Sequence, residues 1–202
     1  MAWVALDRAI RVATERGFSG DVHIWRANAA AIREAVLRDG WSERGLFKQS
    51  FEDDRADAAN LLIPLMGFLP ADDPRVQANL ERTKAELVED GLVYRFRGGG
   101  VHTGEGTFTL CGFWLVNALA AAGQTDEALE MFEGIAGRAT PLGLFAEEIV
   151  PSTGEHLGNF PQAFAHAGLV TAAVNLARAA GVGEAPAAVP RSGSAHLVAR
   201  AG

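Results

Sequence analysis

Two adjacent carboxylates, Glu147 and Glu148, stand at the head of the stretch GLFAEEIVPSTGEHLGNFPQAF, which runs from Gly143 to Phe164. Pro151, Gly154 and Gly158 break any helical or strand period there. Leu144, Phe145, Ile149, Phe160 and Phe164 are too apolar for a flexible linker. The stretch therefore reads as an ordered loop of about 15–20 residues, a length that inside a compact domain is usually functional. The apolar Leu-Phe-Ala run before the pair is the kind of surrounding that tunes a carboxylate for acid–base work. Two surface glutamates on a long loop is the competing reading, and this stretch alone leaves both open.

Two further clusters carry suitable chemistry. In HTGEGTF, Glu105 sits between glycines just before an apolar run. A carboxylate there accepts hydrogen bonds from a sugar hydroxyl, or it caps the first turn of a helix. Trp41, with Tyr94 and Arg95 on a neighbouring loop, supplies rings and a guanidinium. Aromatic rings stack on the C–H faces of a sugar while Arg and carboxylates meet its hydroxyls; a Trp taken singly is more often core. Asn159 and Gln162 read as loop-fixing amides, and Cys111 and Trp114 as packing. Carboxylates, aromatics, Arg and amides together are the inventory of glycoside hydrolysis, in which two carboxyl groups flank the scissile bond.

Other chemistries are poorly supplied. The 18 basic and 25 acidic side chains give a formal charge of -7, which offers no basic excess to match nucleic-acid phosphate. The glycines at Gly98 to Gly100 lack the Lys-Ser/Thr of a phosphate loop, and a nucleophile elbow and a metalloprotease helix are absent. The five histidines show no metal-ligand spacing, and the one cysteine, Cys111, leaves no internal disulfide. No metal and no cofactor is expected. No apolar run reaches a membrane-spanning length and no leader is evident, so the expectation is a cytoplasmic protein with no membrane partner.

The elements that must position these residues are helices. Apolar periodicity predicts helices over 1–16, 21–38, 56–68, 73–90, 107–122, from 125, and 161–179. LFKQSF and LVYRF are expected as short strands. Those beginning near residues 1, 56, 107 and 160 are apolar all round or nearly so, whereas those between them are amphipathic. This is a helical-hairpin repeat of about 50 residues, of the kind that stacks into solenoids or closes into rings. Turns from apolar to amphipathic helix are short (17–20, 69–73, 123–125), whereas the return connections are long (41–55, 91–106, 138–159). The long loops must gather at one end, where a site would be built. Residues 1–180 are expected as one unit, with 181–202, rich in Ala, Gly, Pro and Ser, as a disordered tail.

Five stretches, MAWVALDRAI, DAANLLIPLMGFLP, GLVYRF, GEGTFTLCGFWLVNAL and GLFAEEIVPSTGEHLGNFPQAFAHAGLV, closely resemble the C-terminal half of glycoside hydrolase family 15, the bacterial glucoamylase-like and trehalase-like enzymes. The resemblance implies an all-α fold, an (α/α)6 toroid of which about seven of twelve helices are present here. It implies an inverting hydrolase of α-glucosidic bonds, with α,α-trehalose or an α-glucan end as substrate. The first glutamate of GLFAEE, Glu147, matches the general base; Asp57 and Glu105 match recurrent motif positions. Substrate contacts are expected from Trp41, Arg95, Glu105 and Glu148.

The family's general acid lies in an upstream Gly-Ile-Trp-Glu-like segment, before the position that matches Met1. Asp53 and Asp54 lie on a site-face loop, but nothing marks either as a substitute. Inversion needs two carboxyl groups roughly 6.5–9.5 Å apart, and general acid–base catalysis contributes roughly 10²–10⁴-fold. The expectation is an inactive half, arising from a truncated or mis-started copy, with self-association through exposed inner helices. The alternative is a non-catalytic helical-repeat module that binds a sugar or a protein partner.

Overall fold

The computed structural model describes residues 1–98 and 105–182. Helices α1 (Ala2–Arg16) and α2 (Val22–Asp39) form an antiparallel hairpin closed by Gly17 in the left-handed conformation. A 3-10 turn (Ala58–Leu61) and α3 (Leu62–Leu65) precede α4 (Pro74–Leu87). Strands β1 (Val88–Glu89) and β2 (Leu92–Val93) make a two-residue hairpin, and β3 (Thr107–Phe108) leads straight into α5 (Thr109–Ala121). Helix α6 (Thr125–Ala136), strands β4 (Glu148–Ile149) and β5 (His156–Leu157), and α7 (Ala163–Ala179) complete the order.

Helix α5 is the centre of the core. Cys111, Phe113, Leu115, Val116, Ala118 and Leu119 are all buried, so no face of the helix is solvated. It packs on both α6 and α7. Fully burying each large apolar side chain contributes about 1.5–3 kcal/mol, and Phe113 engages Phe132 of α6 and Phe145 of the 143–164 loop. Gly168 brings α7 close: a Cβ there would lie 2.9 Å from Leu110 and 3.2 Å from Phe113. The α1–α2 hairpin joins this body more lightly. Trp3 meets Phe68 edge-on at 5.1 Å, and Arg33 donates to the Phe68 carbonyl at 3.1 Å.

The all-α array of inner and outer helices expected from the periodicity is present, with three local corrections. Residues 56–68 do not form a continuous buried helix. Asp57 caps a 3-10 turn through Ala59 N, and Pro64, which has no N–H, cannot continue an i→i−4 ladder onto Asn60. Gly67, at φ 76°, ends the segment, and Leu62 to Met66 stay half-exposed. The helix expected to reach Asp90 stops at Leu87, because Asp90 and Gly91 take positive φ (50° and 72°) and turn the chain into the β1–β2 hairpin. LFKQSF contributes only the isolated bridge Trp41–Phe47 and one at Ser50–Asp53, not a strand.

The long connections are laced to one another. Arg44 of the first pairs with Glu86 of α4 at 2.6 Å, and Ala58 N, in the 3-10 turn that follows the first, donates to Arg95 O of the second at 2.8 Å. Arg138 pairs with Asp90 at 2.6 Å, which ties the second to the third. No described helix is long and apolar enough to cross a membrane. Residues 183–202 of the expected disordered tail and two of the three glycines at 98–100 lie outside the described residues.

Candidate active site

The Glu147–Glu148 segment is held by the start of the inner helix α5. Strand β4 lies between β3 and β5, with Phe108 opposite Glu148 and Thr107 opposite Ile149. Buried hydroxyls supply the rest: Thr107 Oγ1 donates to Ile149 O at 2.7 Å and Thr109 Oγ1 to Ala146 O at 3.0 Å. Thr109 N donates to the Glu147 carbonyl at 3.0 Å. The three-stranded sheet is invisible to periodicity, since two-residue strands carry none.

The Glu147 carboxylate is oriented by Asn159. The Asn159 side-chain amide donates to Oε2 at 2.8 Å and its backbone N–H to the same oxygen at 3.2 Å, while Glu147 N donates back to Asn159 O at 2.9 Å. One carboxylate oxygen is thus fixed, and no described residue hydrogen-bonds the other. Gly158 makes the approach possible. It sits at φ 72°, and a Cβ would fall 2.9 Å from Glu147 Oε2. Behind the pair, His166 Nε2 accepts from Phe145 N at 3.3 Å and Nδ1 lies 2.7 Å from Gln162 O, which assigns the proton to Nδ1. The loop expected from sequence is therefore rigidly supported from α7.

Glu148 faces the other way. Its Oε2 accepts from Gly106 N at 2.7 Å, and Gly106 has no room for a side chain, because a Cβ would lie 2.8 Å from the Ile149 carbonyl oxygen. The structure thus brings Glu148 beside the GEG segment that carries the exposed Glu105.

Arg95 belongs to a second group. Its Nε lies 3.1 Å from Asp57 Oδ1, and Asp57 is buried. Cys111 is close to both. Burial pushes its thiol up to about 12, with the Arg95 charge pulling down and Asp57 pushing up. Trp41 is half-buried, edge-on to Phe47 with ring centroids 4.9 Å apart, and packs on the core. No described contact joins it to the Glu147 loop.

Among the other carboxylates, Asp53 is ion-paired with Arg55, whose guanidinium hydrogen bonds hold its carboxyl below the usual range. That is the wrong direction for a general acid, which needs to keep its proton near neutral pH. Described residues contain no cluster of three or more metal-ligating side chains. Asn159, expected as a loop-fixing amide, fixes this loop by its hydrogen bonds to Glu147. Its spacing of 12 from Glu147 gives no signal until the loop folds back.

The chain is similar to known proteins. The chain is 48% identical over 183 residues to a trehalase from Mycolicibacterium smegmatis and 46% identical to one from Mycobacterium tuberculosis. Each match covers 89% of this chain but 27% of the relative, so the chain spans about a quarter of the length of these curated relatives. A solved glycosidase variant in complex with glucose superposes with a TM-score of 0.73 at 23% identity, covering 89% of this chain and 50% of that one. A wild-type glycosidase superposes with a TM-score of 0.65 at 25% identity, over 80% of this chain and 45% of that one. The model of glycosyl hydrolases family 15 matches residues 1–174. With its helical array and its GLFAEE loop inside that match, the chain belongs to glycosyl hydrolases family 15.

Proposed function

We propose that residues 1–180 are the base-bearing C-terminal half of an inverting hydrolase of α-glucosidic bonds, with α,α-trehalose as the leading substrate and α-glucan ends as the other. The carrying observation is the Glu147 carboxylate, held through Oε2 by Asn159 and open at its second oxygen. The trehalase relatives and the glucose held by a solved glycosidase variant support the substrate class.

Glu147 takes a proton from water through its unpartnered oxygen as the water oxygen attacks the anomeric carbon. The bond to the leaving glucose oxygen breaks, and that oxygen must receive a proton from an acid on the opposite face. Arg95, Glu105 and Glu148 are assigned to glucose hydroxyls and Trp41 to a ring face. These 202 residues contain no Gly-Ile-Trp-Glu segment, so the acid is supplied from outside them, and the isolated chain is expected to be inactive. Glucose release from trehalose and maltose by the purified chain, with Glu147→Gln as control, tests this. Release that requires Glu147 would contradict the assignment of the acid.

Helix α7 presents Phe164, Val170 and Val174 to solvent, and Ala13 is the one buried residue of α1. We propose that these exposed faces of inner helices, apolar on α7, pair with a second copy of the chain. Sedimentation velocity is expected to show a dimer that Val170→Glu dissociates; a monomer at all concentrations would contradict it.

A further inference from the structure

We infer that Asp57 is a positioning residue that presents the Arg95 guanidinium to the sugar; this rests on the reading of Arg95 as a glucose contact given above. Asp57 Oδ1 accepts from Ala59 N at 2.7 Å and lies 3.1 Å from Arg95 Nε. That Nε is itself buried and makes no well-angled hydrogen bond. The Arg95 carbonyl accepts Ala58 N at 2.8 Å, so the consecutive residues Asp57 and Ala58 hold Arg95 at both its guanidinium and its backbone.

No described residue accepts from either terminal amine, and the Arg95 side chain is about one-third exposed, whereas that of Asp57 is 9% exposed. An Arg anchored at Nε by a buried carboxylate loses the freedom to swing, and its two outer amines keep a fixed fork for vicinal hydroxyls. Cys111, buried and neutral beside them, supplies an apolar wall instead of a competing acceptor. Among the described residues, Asp57 is the carboxylate paired with Arg95 in this buried corner. Its role in sugar binding is through Arg95, not by contact.

The cap and the charge are separable. Asn at an N-cap accepts as Asp does, so Asp57→Asn keeps the bond from Ala59 and removes the partner charge of Arg95. With the intact 202-residue chain, D57N is expected to melt like wild type and to bind trehalose and glucose at least about tenfold more weakly. Its Arg95 Nε–Hε NMR order parameter is expected to fall. D57N/R95M is expected to bind no more weakly than R95M. Additive losses in that cycle would mean that Asp57 touches the sugar itself and would overturn the proposal. Equal order of the Nε–Hε vector in wild type and D57N would overturn it as well. If the wild-type chain binds neither sugar, the glucose-contact reading of Arg95 fails, and the Nε–Hε comparison alone decides the anchoring.

Discussion

Asn159 holds Glu147 through two hydrogen bonds to one carboxylate oxygen, with side-chain and backbone donors at 2.8 and 3.2 Å. Both residues lie on the same ordered loop, twelve positions apart, and the geometry closes because Gly158 leaves no Cβ between them. In an assembly that turns over trehalose, Asn159→Ala is expected to lower kcat roughly 10- to 100-fold while KM changes less, because a misaimed base loses rate before it loses binding. Steady-state kinetics that show only a raised KM would assign Asn159 to substrate contact.

Gly106, just before β3, lies tightly against the glutamate loop. Gly106→Ala must displace the Ile149 carbonyl or the β3–β4 pairing, at a cost of about 1–3 kcal/mol. Thermal unfolding is expected to show the loss. A Tm equal to wild type would mean that the sheet tolerates a shift of several tenths of an ångström.

Cys111 is a neutral thiol at physiological pH, since burial pushes it up to about 12. Alkylation by iodoacetamide is therefore expected to be slow in the native chain and fast in denaturant. Rapid native labelling would place α5 nearer solvent than its burial indicates.

Asp73 caps α4 through Arg75 N at 2.9 Å and pairs with the Arg75 guanidinium at 2.7 Å. That side-chain hydrogen bond holds its carboxyl below the usual value. A depressed folded-state pKa means the contribution is fully present above the unfolded pKa of about 4 and is lost as pH falls through the lower folded value. Asp73→Ala is expected to cost about 1 kcal/mol at pH 7, and the gap to wild type should narrow toward pH 2. Chemical denaturation at both pH values measures it.

The inner and outer helices were legible because 3.6-residue periodicity survives in the sequence wherever a helix is long. Residues 56–68 misled because an apolar run does not report a missing N–H: Pro64 and the Asp57 cap decide the local backbone, and half of the run stays partly exposed. Likewise Asp90, the first residue of an Asp-Gly hairpin turn, was read as the last residue of a helix. The ordered apolar loop around Glu147 was readable from Phe145 and Ile149. Its anchor was not, since Asn159 acquires meaning only when Gly158 lets the loop return. The Asp57–Arg95 pair spans two connections, and no local pattern announces a contact between them.

The most direct measurement replaces the corresponding segment of the Mycolicibacterium smegmatis trehalase with residues 1–182 of this chain and follows trehalose hydrolysis by NMR. The account predicts hydrolysis in which one glucose appears first as the β-anomer, with Glu147→Gln lowering kcat at least about 100-fold. A chimera that keeps full activity with Glu147→Gln would contradict the assignment of Glu147 as the base.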